Sequence, residues 1–288
     1  MSKNKPPRRA RGSTHSARAS QPGRSGQTRQ SGPVRKDARP ARASEELWIY
    51  GHHAVAAALA NPQRKILRLI ATPDAAAKLS EDTSVPKEPL AHLKNAARVE
   101  IDAIVGAGSV HQGAAVLTRP IGYDLADVLE KISVNPEACV VLLDQVTDPH
   151  NVGAVLRSAA AFGAAAVVAP DRHAPEETGT MAKAASGALD KIPYIKAVNL
   201  VRALEQLKDA GFWTVGLAAD GPKPLSGIPL KGRIALVLGA EGEGLRRLVR
   251  ETCDYVASLP MAGDMESLNV SNAAAVALYE KARQSSET

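Results

Sequence analysis

The chain has 288 residues, 44% of them hydrophobic, and a formal net charge of +6. That length suits about two domains with real cores. Two cysteines leave no disulfide framework and no zinc spacing, and no apolar run has the length of a membrane span or the character of a secretory signal, so a cytoplasmic protein is expected.

The charge is uneven along the chain. Residues 1–44 hold twelve Lys or Arg against the single acid Asp37, a net of +11, and leave 24 basic and 29 acidic residues to the rest, a net of −5. This segment also carries Pro6, Pro7, Pro22, Pro33 and Pro40, with almost nothing apolar beyond alanine and Val34. Burial cannot offset its ordering entropy, so a disordered basic tail is expected. Such an arm suits salt-sensitive contact with nucleic-acid phosphates, or serves only to solubilise. It lacks the apolar helical face of a transit peptide.

Composition changes at Leu47. Residues Trp48 to Leu59 read as a short strand, a Gly turn and an Ala-rich helix; Lys65 to Ala71 reads as a strand, followed by helical stretches to Ala97. Arg98 to Ile101 and Ala114 to Thr118 read as further short strands. Residues 45–118 therefore form a small α/β domain, and 119–137, with Pro120, Gly122 and Pro136, a linker around one amphipathic turn from Leu125 to Ile132. His52, His53 and His111 read most simply as turn or cap residues.

From 138 to 288 strands and helices alternate. Strands are expected at Cys139 to Leu143, Ala165 to Ala169, near Tyr194, Trp213 to Ala218, Ile234 to Leu238 and Tyr255 to Leu259, with helices at Val152 to Phe162, Glu176 to Leu189, Leu200 to Ala210, near Leu245 and in the last segment. This order gives an α/β domain with a Rossmann-like, mostly parallel sheet covered on both faces. Two of its loops are candidate ligand sites. Gly239-Ala240-Glu241-Gly242-Glu243-Gly244 follows a strand, but its G-x-x-G-x-G order is not a dinucleotide fingerprint, and its two acids would repel a pyrophosphate. The second loop gathers Glu266, Ser267, Asn269, Ser271 and Asn272 before an apolar helix, more polar side chains than one N-cap needs. Arg246, Arg247 and Arg250 read as a solvated basic helix face, available to RNA.

Three blocks together resemble the motifs of the SpoU/TrmH RNA 2′-O-ribose methyltransferases. They are Leu143-Asp-Gln-Val-Thr-Asp-Pro-His-Asn-Val-Gly-Ala-Val-Leu-Arg-Ser-Ala159, Ala235 to Arg246, and Leu259-Pro-Met-Ala-Gly263 with Glu266-Ser-Leu-Asn-Val-Ser-Asn272. The resemblance covers about residues 47 to 283. It departs mildly at Ala160-Ala161-Phe162, where the family often carries an acid, and in its longer N-terminal arm. It implies a C-terminal trefoil knot, where connection rules alone imply an unknotted sheet. It also implies homodimerisation, no metal, and transfer of a methyl group from S-adenosyl-L-methionine to a ribose 2′-hydroxyl. Gly239, Leu259, Leu268, Met261 and Gly242 match cofactor-binding positions, and Asn151, Arg157, Glu241, Ser267 and Asn269 match polar active-site positions. Ser267 is expected to bond nearby backbone. Arg157 falls six residues after Asn151, nearly two turns, so the two are expected on roughly one helix face. Its guanidinium is assigned to a phosphate clamp rather than to the base, because arginine almost never deprotonates. The pairing of Tyr50-Gly51-His52-His53 with His111-Gln112-Gly113 resembles the substrate-binding domain of members that modify 23S rRNA, which makes a guanosine of that RNA the expected target. A tRNA ribose methyltransferase and a non-catalytic ribosome-assembly factor are the alternatives.

Overall fold

A computed structural model describes residues 46–262 and 267–286. The basic tail, Glu266 and Gly263 lie outside the described residues. In chain order the first part comprises β1 (Leu47–Tyr50), α1 (His52–Ala60), β2 (Ile66–Ala71), α2 (Pro73–Glu81), α3 (Lys87–Leu90), β3 (Leu93–Asn95), α4 (Arg98–Val105) and β4 (Ala114–Thr118). Its sheet has the order β1-β4-β2-β3, antiparallel except for β2 with β3. The strand expected at Arg98 to Ile101 is the first half of helix α4. Glu100 reaches back to accept the Ala97 N–H at 2.6 Å, an N-terminal capping contact. Ile101, Ile104 and Val105 then share the helical spacing that packs on Ile70 and Ala115, so period and cap override a short β-branched run.

The second part comprises α5 (Leu125–Ile132), β5 (Cys139–Asp144), α6 (Pro149–Ala161), β6 (Ala166–Pro170), α7 (Gly179–Ala185), β7 (Tyr194–Ala197), α8 (Leu200–Asp209), β8 (Trp213–Leu217), β9 (Lys223–Pro224), β10 (Ile234–Gly239), α9 (Arg247–Thr252), β11 (Tyr255–Ser258) and α10 (Val270–Ser286). Seven parallel strands take the order β7-β6-β5-β10-β8-β11-β9, as the alternation of elements predicts. The helix expected from Glu176 to Leu189 is shorter. Thr178 caps α7 by accepting the Met181 N–H at 3.1 Å, and Ser186 and Gly187 leave it in the left-handed region at φ 50° and 91°.

Alternation along β5 divides the core. Val141 and Leu143 pack with Val152, Val155 and Ala274 of the helices on one face, while Val140 and Leu142 pack with Leu125, Leu204 and Leu207 on the other. The first face does not stop at the large sheet. Ile49, Leu69 and Val116 of the small sheet and Val55 of α1 belong to the same buried cluster as Val141, Met181 and Leu236. A buried ionic knot reinforces the join: Arg64, after α1, donates to Glu177 at 2.6 Å, to Asp190 at 2.7 Å and to the Arg119 carbonyl at 3.0 Å. His111, fully buried, braces the small sheet by bonding Asp102 at 3.1 Å and accepting the Gly113 N–H. Among the described residues no helix is long and apolar enough to cross a membrane.

Candidate active site

The β5–β10 ladder sets the site. Asp144 and Gly239, the last residues of the two strands, are paired in register, so the loops they release leave the sheet side by side. Asp148 opens α6 by accepting the His150 N–H at 2.9 Å, with Pro149 in the first turn. That places Asn151 in the first turn of the helix. The glycine loop is a tight excursion in which the Gly244 N–H returns to the Ala240 carbonyl at 2.9 Å. Gly242, at φ 83°, makes the turn that a side chain would strain. Asp144, fully buried, grips the base of the loop by accepting both the Arg246 N–H at 2.9 Å and its Nε at 2.7 Å.

Three polar residues from three elements meet at one point. Glu241 Oε1 accepts from Asn269 Nδ2 at 2.7 Å, from Asn151 Nδ2 at 3.2 Å and from the Val270 N–H at 3.3 Å. Asn269 Nδ2 also donates to Asn151 Oδ1 at 3.0 Å, while its Oδ1 caps α10 through the Ser271 N–H at 2.9 Å. Asn269 is thus both a helix cap and a member of the network. The separation of 118 residues between it and Asn151 shows that the contact is tertiary.

The network borders a cavity of about 330 Å³. Gly239, Gly242, Leu259, Met261 and Leu268 all line it, together with Glu241 and Ser267. Leu217, Ala218 and Ala219, at the carboxyl end of β8, complete the wall. These three carry no motif signal, although the rule that ligands bind beyond the carboxyl ends of parallel strands points to them. Ser267 is exposed at the rim of the cavity. Arg157 departs from expectation. Six residues advance a helix by about 1.7 turns, leaving Arg157 about 120° round from Asn151; it is exposed and stands outside the network. The basic face is neutralised: Arg246 pairs with Asp144, Arg247 with Glu251 at 2.9 Å and Arg250 with Asp220 at 2.8 Å. Among the described residues there is no cluster of His, Cys, Asp or Glu that could hold a metal ion.

The model of the SpoU rRNA methylase family matches residues 138–279. The 23S rRNA (guanosine-2′-O-)-methyltransferase RlmB of Xylella fastidiosa is 40% identical over 243 residues, 82% of this chain and 96% of the relative. The protein of the same name from Photobacterium profundum is 39% identical over 82% of this chain and 97% of its own length. The solved SpoU methyltransferase AviRb of Streptomyces viridochromogenes, in complex with AdoMet, superposes with a TM-score of 0.69 at 23% identity, over 83% of this chain and 90% of that one. That likeness gives the fold.

Proposed function

The chain belongs to the SpoU rRNA methylase family, and from that premise we propose that it is an S-adenosyl-L-methionine-dependent methyltransferase acting on the ribose 2′-hydroxyl of a guanosine in 23S rRNA. The observation that carries this reading is the Asn151–Glu241–Asn269 network at the mouth of a glycine-walled, apolar cavity. The cavity fits the cofactor. Its volume of about 330 Å³ lies within the small-ligand range, leucine and methionine side chains suit an adenine, and the absence of Lys and Arg from the lining among the described residues suits a ligand without phosphates. When bound, S-adenosylmethionine supplies an electrophilic methyl group on a sulfonium. Gly239 brings its backbone close: a Cβ there would stand 2.1 Å from the Gly244 carbonyl carbon. Gly239→Ala is therefore expected to weaken S-adenosylhomocysteine binding by at least about tenfold in calorimetry, the usual penalty for losing complementarity in a pocket wall. Unchanged affinity would remove the glycine loop from the site.

Asn151 and Asn269 hold Glu241, and through it the glycine loop, against the first turn of α10. Ser267 and Leu268 border the same opening. Arg157 clamps the phosphate of the target nucleotide and stabilises the developing alkoxide, with the proton leaving through phosphate or water.

Two further features belong to this reading. A homodimer is supported by an exposed apolar patch in which Phe162, after α6, stacks edge-on with Tyr279 of α10 at 6.1 Å, beside Val276. On that arrangement each site completes itself near the partner subunit. A C-terminal trefoil knot is supported by the way α10 engages the chain before β10, where Gln284 accepts the Leu230 N–H at 2.9 Å and donates to the Ile228 carbonyl at 3.2 Å. The basic tail adds non-specific affinity for RNA, and the setting is cytoplasmic.

The test is methyl transfer from labelled S-adenosylmethionine to RNA from a strain lacking this protein, with the product mapped by resistance to alkaline cleavage. One 2′-O-methylguanosine in 23S rRNA is expected. Arg157→Ala should reduce the rate by about 10²-fold, and Arg157→Lys should retain part of it across pH. A pH–rate limb that moves with the Arg157 variants would make Arg157 the base instead. Methylation confined to tRNA, or cofactor binding without transfer, would replace this reading with one of the two alternatives.

A further inference from the structure

The carboxyl edge of the large sheet is electrostatically lopsided. Beside the cavity, the loop after β10 presents Glu241 and Glu243, and the arginines nearby are paired with Asp144, Glu251 and Asp220. Across β5, the loop after β6 presents Arg172 and His173, both exposed and neither in a hydrogen bond or ion pair among the described residues. A polyanion approaching the site is repelled on the first side and met by an unspent guanidinium on the second.

Register gives the distance. Gly239 pairs with Asp144, and the β5–β6 ladder that aligns Leu142 with Val168 brings Asp144 level with Pro170 two residues later. Adjacent strands lie about 4.8 Å apart, so Pro170 stands roughly 10 Å from Gly239 across the sheet. Arg172 follows two residues on, with a side chain long enough to reach over the end of β5. The same loop leads into α7, whose Gly179 lies against the Trp48 carbonyl and the Tyr50 ring of the small sheet. It therefore spans the route from the small sheet to the cavity.

We infer that the loop after β6 is an RNA-docking element in which Arg172 holds a backbone phosphate flanking the target ribose, with His173 beside it. The inference rests on the RNA methyltransferase reading and deepens it. It assigns this loop to substrate affinity, separately from the network that organises the cavity.

The experiment measures binding of an unmodified 23S rRNA transcript across a salt series, alongside kcat and KM for the same RNA and calorimetry with S-adenosylhomocysteine. Arg172→Ala is expected to weaken RNA binding about five- to tenfold and to flatten the salt dependence by about 0.7–0.9 in log–log slope, the signature of one lost phosphate contact. KM for RNA rises, while kcat at saturating RNA and S-adenosylhomocysteine affinity stay put. Arg172→Glu exaggerates the loss, and Arg247→Ala, whose guanidinium is already paired with Glu251, leaves binding and salt slope unchanged. Wild-type affinity and slope in Arg172→Glu would overturn the inference, as would a fall in kcat at unchanged RNA affinity. RNA binding that responds to Arg172 without any methyl transfer by the unaltered protein would uphold the docking element and overturn the catalytic reading.

Discussion

Glu241→Ala is expected to lower kcat for methyl transfer by about 10²-fold, because misplacing reacting groups by about 1 Å costs that much. The carboxylate is the one acceptor shared by Asn151, Asn269 and the Val270 N–H. Removing it leaves Asn151 and Asn269 bonded only to each other and to the α10 cap, and releases the glycine loop from the start of α10. Glu241 is exposed, so the melting temperature should barely move, and the loss will read as catalytic. Glu241→Gln keeps an acceptor oxygen at the Oε1 position but loses the negative charge that strengthens all three bonds, and should fall between alanine and the unaltered protein. Activity within about threefold of wild type in Glu241→Ala would mean that the network is a helix cap with no part in the reaction.

The largest effect on stability is expected at Arg64. Its side chain is fully buried, as are those of its partners Glu177 and Asp190 to within 5%, and together they tie the small sheet to the large one. Arg64→Met strands two carboxylates without their cation, which costs about 3–5 kcal/mol. For a folded region of this size that corresponds to a fall in Tm of roughly 6–20 °C. The loss should depend on pH with a definite sign. Burial pushes the Glu177 carboxyl up and already outweighs the downward pull of Arg64 and the Ile121 N–H. Removing Arg64 takes away most of that pull and raises the carboxyl further, so the variant is least penalised when Glu177 is protonated and loses stability as pH rises through the raised value. The gap between variant and wild type should therefore narrow as pH falls. Glu177→Gln added to Arg64→Met should recover part of the loss, and a deficit independent of pH would assign the cost to packing alone.

What the sequence made legible follows the range of the interactions. Most strands and the parallel sheet are written in local apolar runs and their alternation with helices, while the five cavity positions Gly239, Gly242, Leu259, Met261 and Leu268 are legible only through the family resemblance of their motifs. Asn269 is legible as polar surplus before a helix, and Asn151 and Glu241 through the family resemblance, but their mutual bonds span separations that no periodicity encodes. The same holds for Arg64, whose partners lie 113 and 126 residues away, and for Arg246 and Arg250 of the basic face, which pair with Asp144 at the end of β5 and Asp220 after β8. Arg98 to Ile101 failed for the opposite reason: the alternation of Val99 and Ile101 with charged residues suggests a strand, and only the Glu100 cap with the wider spacing reveals the helix.

The position of β10 between β5 and β8 bears on how the protein is made. When β5 leaves the ribosome, the strand that will cover its inner edge is encoded about 90 residues downstream. At about 5–20 residues per second the nascent chain waits roughly 5–20 s for it. Meanwhile Val140 to Leu143, all destined for complete burial, offer an unpaired apolar edge to any neighbouring strand. Closure of the sheet therefore waits on β10, and the yield of folded protein should depend on synthesis rate and on chaperones that shield nascent strands as well as on the stability of the finished fold.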